Sequence, residues 1–242
     1  MAWEKVKQKI ISLENFVLEV LFPCFCFGCQ REGSYLCEDC QAVLEISQFR
    51  YCLCQKPQRL VIGGKCRLCD YKKLNGLYSA VPYQNQIVQA LIKKMKYEPF
   101  AKDIAKTLAS LIISHFQLVD NPPDFSGFSL VPVPLEKRRL KWRGFNQAEE
   151  IAKELSLAWQ IPLLRKMLAK TKPTLAQAEL SDFERQENIK NAFACQEPEL
   201  VQNKKLLLVD DVYTSGATME EAARILKQAG AKEVWGVTVA RG

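Results

Sequence analysis

The segment Leu206-Leu207-Leu208-Val209-Asp210-Asp211-Val212-Tyr213-Thr214-Ser215-Gly216-Ala217-Thr218 constrains the fold more than any other stretch of the chain. Lys205–Val209 is too apolar for a strand with one wet face, which predicts a central place in a parallel sheet. Such sheets take ligands at the carboxyl ends of their strands, where this strand delivers two adjacent acids. An apolar interior cannot satisfy both, so at least one faces a polar ligand: ribose hydroxyls, or a Mg²⁺ with its waters. Small residues follow, leaving backbone N–H groups accessible, and Thr214, Ser215 and Thr218 add hydroxyls. Gly216 and Ala217 complete a nest that leads into a helix read over Thr218–Ala229, whose N-terminus favours an anion. Acids for a diol and a hydroxyl-rich nest for a phosphate match the two ends of a ribose 5-phosphate. No Gly-Lys-Ser/Thr follows, which excludes a Walker A loop.

The surrounding pattern agrees. Leu77–Pro82, Ser129–Val133 and Glu233–Ala240 read as strands, and Gln86–Lys96, Lys102–Phe116 and Asn146–Trp159 as helices. Alternating strands and helices indicate an α/β domain with a mainly parallel sheet flanked by helices, assigned to residues 73–242. Residues 1–21 read as an amphipathic helix, with Val6, Ile10, Leu13 and Val17 at helical spacing. His115, the one histidine, falls in an apolar helix and reads as a core or helix-end residue.

Between these, residues 22–72 lose helical periodicity and hold nine of the ten cysteines, from Cys24 to Cys69. The N-terminal stretch lacks a signal peptide's uninterrupted apolar region and no run is long enough to span a bilayer, so a cytoplasmic location is expected. In a reducing compartment clustered cysteines mean metal. Cys26-x-x-Cys29 and Cys37-x-x-Cys40 form two knuckles able to close a structural zinc site. Cys52-x-Cys54 with Cys66-x-x-Cys69 forms a second set, whose single-residue gap predicts a less regular site, with Cys24 a spare ligand.

The net charge of +7 is concentrated in the middle: residues 73–147 carry 11 basic against 5 acidic residues. Such a region suits phosphate-rich ligands, either nucleotides or nucleic acid. Arg138, Arg139 and Arg143 are candidates for pyrophosphate or for nucleic-acid phosphate, since guanidinium forks match phosphate oxygens. Lys93-Lys94-Met95-Lys96 reads instead as a solvated face.

Val209–Thr218 resembles the phosphoribosyl-pyrophosphate motif of type I phosphoribosyltransferases. Val131-Pro132-Val133-Pro134, Arg143-Gly144-Phe145-Asn146-Gln147, and Gln177-x-x-Leu180 with Arg185-x-x-Asn188 and Phe193 further resemble the ComF (ComFC) family of competence proteins, whose layout includes the N-terminal cysteine pairs. This resemblance implies a phosphoribosyltransferase-like domain behind a zinc finger, acting in natural transformation on incoming single-stranded DNA. It makes Leu168–Asn188 a mobile loop over the ligand, with Arg165, Lys170, Gln177 and Arg185 its functional members. Three readings stay open: a transferase with an unidentified acceptor, a non-catalytic module for single-stranded DNA with a nucleotide site, and a scaffold docking to a DNA-uptake helicase or channel protein.

Overall fold

The structure is a computed structural model that describes residues 23–98, 101–120, 122–172 and 182–242. The helix read at 1–21 and Gln177 lie outside the described residues. The chain forms two compact units, Met1–Leu44 and Glu45–Gly242.

The described part of the first unit, residues 23–44, is rich in turns and bends. Phe25 and Glu32 pair as an antiparallel bridge, and the Cys26 N–H donates to the Arg31 carbonyl at 2.9 Å. Its helix, α1 (Glu38–Ala42), begins after Cys37. Among its described residues, the buried apolar side chains are Cys26, Leu36 and Leu44.

The second unit begins with a hairpin of β1 (Arg50–Tyr51) and β2 (Arg59–Leu60) and a 3₁₀ turn at Arg67–Cys69. There follow β3 (Gly76–Pro82), α2 (Gln86–Tyr97), α3 (Ile104–Leu118), β4 (Phe128–Pro132), α4 (Lys137–Arg143) and α5 (Gln147–Trp159). The chain continues through β5 (Leu168–Lys170), α6 (Asp182–Ile189), β6 (Phe193–Cys195), α7 (Pro198–Val201), β7 (Lys205–Tyr213), α8 (Ala217–Gln228) and β8 (Glu233–Arg241).

Four of these strands form a parallel sheet in the order β3-β8-β7-β4. The alternation of side chains along β7 divides its apolar run between two cores. Leu206 and Leu208 join Met219, Ala222, Ala223 and Leu226 of α8, together with Val131, Val133 and Val234. The other face meets α5, which packs on β4 and β7, while α3 covers β3 and β8. Tyr78, Phe116, Phe125 and Trp159 interlock in that layer, with ring centroids 4.7 Å apart for Tyr78–Phe116 and 4.9 Å for Phe125–Trp159. His115 is buried there with Nδ1 2.5 Å from the Ser47 carbonyl oxygen, and burial holds its pKa below the ordinary value. It is a core residue, as its apolar surroundings in the sequence imply.

Two local readings are corrected, and one further helix is found. The strand read as Lys205–Val209 runs on to Tyr213, so both acids lie within it. The reason is β8, which keeps pairing past them: Asp210↔Thr238, Val212↔Ala240 and Tyr213↔Arg241. Residues 137–143 form a helix that no apolar period announces. The stretch 168–188 is not loop throughout: β5 pairs antiparallel with β6, and α6 occupies Asp182–Ile189. The side chain of Arg185, within α6, lies outside what the structure describes.

Candidate functional site

The end of β7 carries the acids, and α8 carries the anion-favouring terminus; the three residues between them make the turn. Gly216 adopts φ of +80°, a left-handed conformation that glycine alone takes without cost. It also has no room for a side chain, because a Cβ there would lie 2.2 Å from the Tyr213 hydroxyl oxygen. The turn thus folds over Tyr213, and the Ser215 hydroxyl accepts from the Ala217 N–H at 3.4 Å. Thr214 is exposed, Ser215 and Thr218 are half-buried, and Ala217 is buried.

The two acids occupy different environments. Asp211 is 5% exposed and its Oδ2 lies 2.6 Å from Lys96 Nζ. Burial works against the Lys96 charge, but the Asp211 carboxylate outweighs it, holding Lys96 above the ordinary lysine value. Lys96 is therefore not part of a solvated face; α2 turns it onto the strand end. Asp210 accepts from the Asp211 N–H at 2.8 Å, and burial together with the Asp211 charge pushes its carboxyl up to about 8.

Arg143 and Lys170 feel the charge of this pair. Arg143, at the end of α4, is half-buried; burial lowers its pKa while the charge of Asp211 opposes the shift, which places the two groups within electrostatic reach. Lys170 on β5 is likewise depressed by burial and by Arg139, with Glu136 and Asp210 opposing. Arg139 has its Nε 3.8 Å from Glu136 Oε2. Arg138 is exposed on α4, and Arg165 lies 3.8 Å from Glu149 on α5.

The Arg143–Gln147 segment has a local logic. Gly144 ends α4 in a left-handed conformation, φ +81°. Asn146 then caps α5, accepting from the Ala148 N–H at 3.2 Å and donating to the Val133 carbonyl at 2.9 Å. Arg143 donates to Gln147 across the turn. These bonds fix Arg143 relative to the end of β4.

Both cysteine sets close into compact clusters. Within each, all four Sγ atoms lie within 4.8 Å of one another. Cys26–Cys37 and Cys29–Cys37 are 3.7 and 3.6 Å apart, and Cys54–Cys66 and Cys66–Cys69 3.5 and 3.6 Å. A zinc tetrahedron with about 2.3 Å bonds has edges of about 3.8 Å, so either set fits a metal such as zinc. Backbone N–H groups support the sulfurs: Gly28 and Cys37 donate to Cys26 Sγ at 3.4 Å, and Gln58 to Cys52 Sγ at 3.2 Å. Burial opposes ionisation of Cys26, yet those donors hold it down to about 6; hydrogen bonding to Cys37 and burial push Cys40 up to about 12. The expected irregularity of the second set is absent, since all four of its sulfurs lie within 4.8 Å of one another. Cys24 lies outside both clusters.

Lys96 and Tyr213 escaped sequence reasoning. The first is hidden in a basic run, and the second in a strand end that reads as loop.

Residues 140–242 match the family described as Phosphoribosyl transferase domain. Competence protein F of Haemophilus influenzae is 38% identical over 113 residues, 45% of this chain and 49% of that protein, so that alignment spans about half the relative's length. Competence protein ComFC of Streptococcus pneumoniae is 26% identical over 209 residues, 85% of this chain and 87% of that one. DNA utilization protein YhgH of Salmonella typhi is 30% identical over 226 residues, covering 83% of this chain and 95% of its own. Among solved structures, glutamine phosphoribosylpyrophosphate (PRPP) amidotransferase from B. subtilis complexed with ADP and GMP aligns over 61% of this chain and 30% of its own, at 16% identity and a TM-score of 0.41. Among the described residues no helix is long and apolar enough to cross a membrane. With two cysteine clusters ahead of the parallel sheet and near-complete alignment to a relative at 30% identity, the chain belongs to the ComF/ComFC/YhgH family of competence and DNA utilization proteins.

Proposed function

We propose that this chain binds the ribose 5-phosphate part of phosphoribosyl pyrophosphate, or of a related ligand, in the handling of incoming single-stranded DNA. Asp210 and Asp211 take the ribose hydroxyls. Thr214, Ser215, Gly216, Ala217 and Thr218, with the N-terminus of α8, cradle the 5′-phosphate. Arg143, Arg139 and Lys170 meet the pyrophosphate. Because Lys96 already occupies one oxygen of Asp211, the acids suit a Mg²⁺ that keeps most of its waters and is held chiefly by the ligand's phosphates. That ion would neutralise leaving-group charge, while the chain's own residues position the two ends of the sugar.

The observation that carries this reading is the pairing, at one strand end, of two adjacent acids, one of them held by Lys96, with a left-handed glycine turn into a helix N-terminus. Calorimetric titration with Mg²⁺–phosphoribosyl pyrophosphate tests it. Asp210→Ala combined with Asp211→Ala should abolish binding; unchanged binding defeats the assignment. Pyrophosphate release in the presence of nucleobases or single-stranded DNA separates transfer from binding.

A nucleic-acid role draws support from α4. Trp142 is 66% exposed there among Lys137, Arg138 and Lys141. An exposed indole beside cations provides a platform for an unstacked base. Trp142→Ala should weaken oligothymidylate binding without altering phosphoribosyl pyrophosphate affinity.

A further inference from the structure

We infer that the second cysteine cluster, Cys52, Cys54, Cys66 and Cys69, is the support on which the phosphate turn rests, so that metal held there sets the turn's grip on its ligand. This rests on the proposed ribose-phosphate reading for the ligand, though not for the mechanics.

The carbonyls of the Cys52–Cys54 segment are all engaged by the sheet end. Arg241, the last residue of β8, donates to the Cys52 carbonyl at 2.7 Å and to the Cys54 carbonyl at 2.5 Å. Lys72 donates to the Leu53 carbonyl at 2.8 Å and to the Tyr213 hydroxyl at 3.2 Å. That hydroxyl lies 3.4 Å from the same Leu53 carbonyl. Arg241 and Tyr213 are register partners across β8 and β7, so the cluster segment clamps two adjacent strand ends. The Arg241 guanidinium also sits 5.3 Å from the centroid of the Tyr213 ring.

Tyr213 is 2% exposed and lies directly beneath Gly216. The far side of the turn is tied down as well. Glu220, in the first turn of α8, accepts from the Lys73 N–H at 2.7 Å, four residues beyond Cys69. Both ends of the phosphate turn are thus fastened to one small segment. That segment has little regular structure of its own: two two-residue strands and a three-residue 3₁₀ turn. Beside the Lys72–Leu53 hydrogen bond, the sulfur cluster itself draws Cys52 and Cys54 to Cys66 and Cys69. A metal there holds the carbonyl row in place, and with it Arg241, Lys72 and Tyr213, so the turn is preorganised before ligand arrives.

Two variants test this in the full chain. Cys54→Ser with Cys66→Ser removes the metal of this cluster. Arg241→Leu leaves the cysteines and cuts their link to the sheet. The readouts are zinc per chain, amide hydrogen exchange at residues 214–218, and calorimetric affinity for Mg²⁺–phosphoribosyl pyrophosphate. The cysteine variant should lose one zinc and Arg241→Leu none. Both should exchange faster at 214–218, with Leu206–Val209 still protected, and bind about tenfold more weakly. Arg241→Lys should recover part of the loss. Wild-type exchange at 214–218 in both variants overturns the inference. Should the cysteine variant lose protection throughout the sheet, Arg241→Leu alone decides. If the wild-type protein binds no phosphoribosyl pyrophosphate, the ligand reading falls, while the exchange result still settles whether the cluster supports the turn.

Discussion

Replacing Gly216 with alanine separates backbone strain from steric conflict, because the chain supplies its own control. Gly216 and Gly144 share nearly the same left-handed φ, +80° and +81°. A Cβ on Gly144 meets nothing within 4 Å, whereas one on Gly216 would lie 2.2 Å from the Tyr213 hydroxyl oxygen and 2.4 Å from its Cζ. Left-handed backbone costs an L-residue about 1–2 kcal/mol, part of which the stiffer unfolded chain returns. Gly144→Ala should therefore cost about 1 kcal/mol. At Gly216 the ring must also move, yet it is 2% exposed and its hydroxyl is held by Lys72 and the Leu53 carbonyl. Overpacking of that kind adds about 1–3 kcal/mol, for a total of about 2–4 kcal/mol. Urea unfolding with a shared slope measures both variants. Gly216→Ala should show the lower midpoint and the weaker phosphate binding. Equal midpoints would refute the packing of the turn against Tyr213.

Lys96→Met leaves the Asp211 carboxylate buried without its partner and should cost about 3 kcal/mol, which urea unfolding checks. Asp210 has a folded pKa raised to about 8, against about 3.9 unfolded. The folded state therefore binds the extra proton, and the associated stability is complete below about pH 4 and lost as pH rises towards about 8. Asp210→Asn should remove that decline, making the ligand-free variant more stable than wild type at pH 8 while losing most of the affinity for phosphoribosyl pyrophosphate. Metal analysis of protein purified without chelator should find a zinc ion for each cluster, and Cys29→Ser should remove one of them; absence of zinc refutes the finger reading.

The fold class was legible because its evidence is local and redundant. Lys205–Val209 is apolar on both faces, the turn is built of small residues, and the amphipathic helix after it ends at Gly230; each points to the same strand–turn–helix unit. The cysteine sets were legible for a similar reason, since ligand spacing is a short-range property. What stayed hidden was tertiary. Lys96 lies 115 residues from Asp211 in sequence, and nothing in a Lys-Lys-Met-Lys run says which lysine turns inward. The continuation of β7 to Tyr213 depends on β8 pairing beyond the acids, which no propensity of Asp-Asp-Val-Tyr foretells. The regularity of the second cluster is tertiary too, since Cys52 and Cys54 are aligned by Arg241 at the far end of the chain.

The charge states of the strand end explain how a site with two adjacent carboxylates can attract a phosphate. Two ionised acids would raise a repulsive field at the mouth of the turn. Here Asp211 is neutralised by Lys96 at 2.6 Å, and burial together with the Asp211 charge pushes the Asp210 carboxyl up to about 8, which favours its protonated form. Outside the pair stand Arg143, Lys170 and Arg139 against the one acid Glu136, so the ligand-free site faces an arriving anion with net positive charge. A ligand with a diol at one end and phosphates at the other can then use both halves. On the proposed reading its phosphates would meet the arginines, and its sugar hydroxyls would donate to Asp210. A bare anion of the same charge gains only the first of these. Inorganic pyrophosphate should therefore bind with little dependence on Asp210, whereas phosphoribosyl pyrophosphate should lose most of its affinity in Asp210→Asn. Equal losses for the two ligands would show that the acid serves the phosphates and not the sugar.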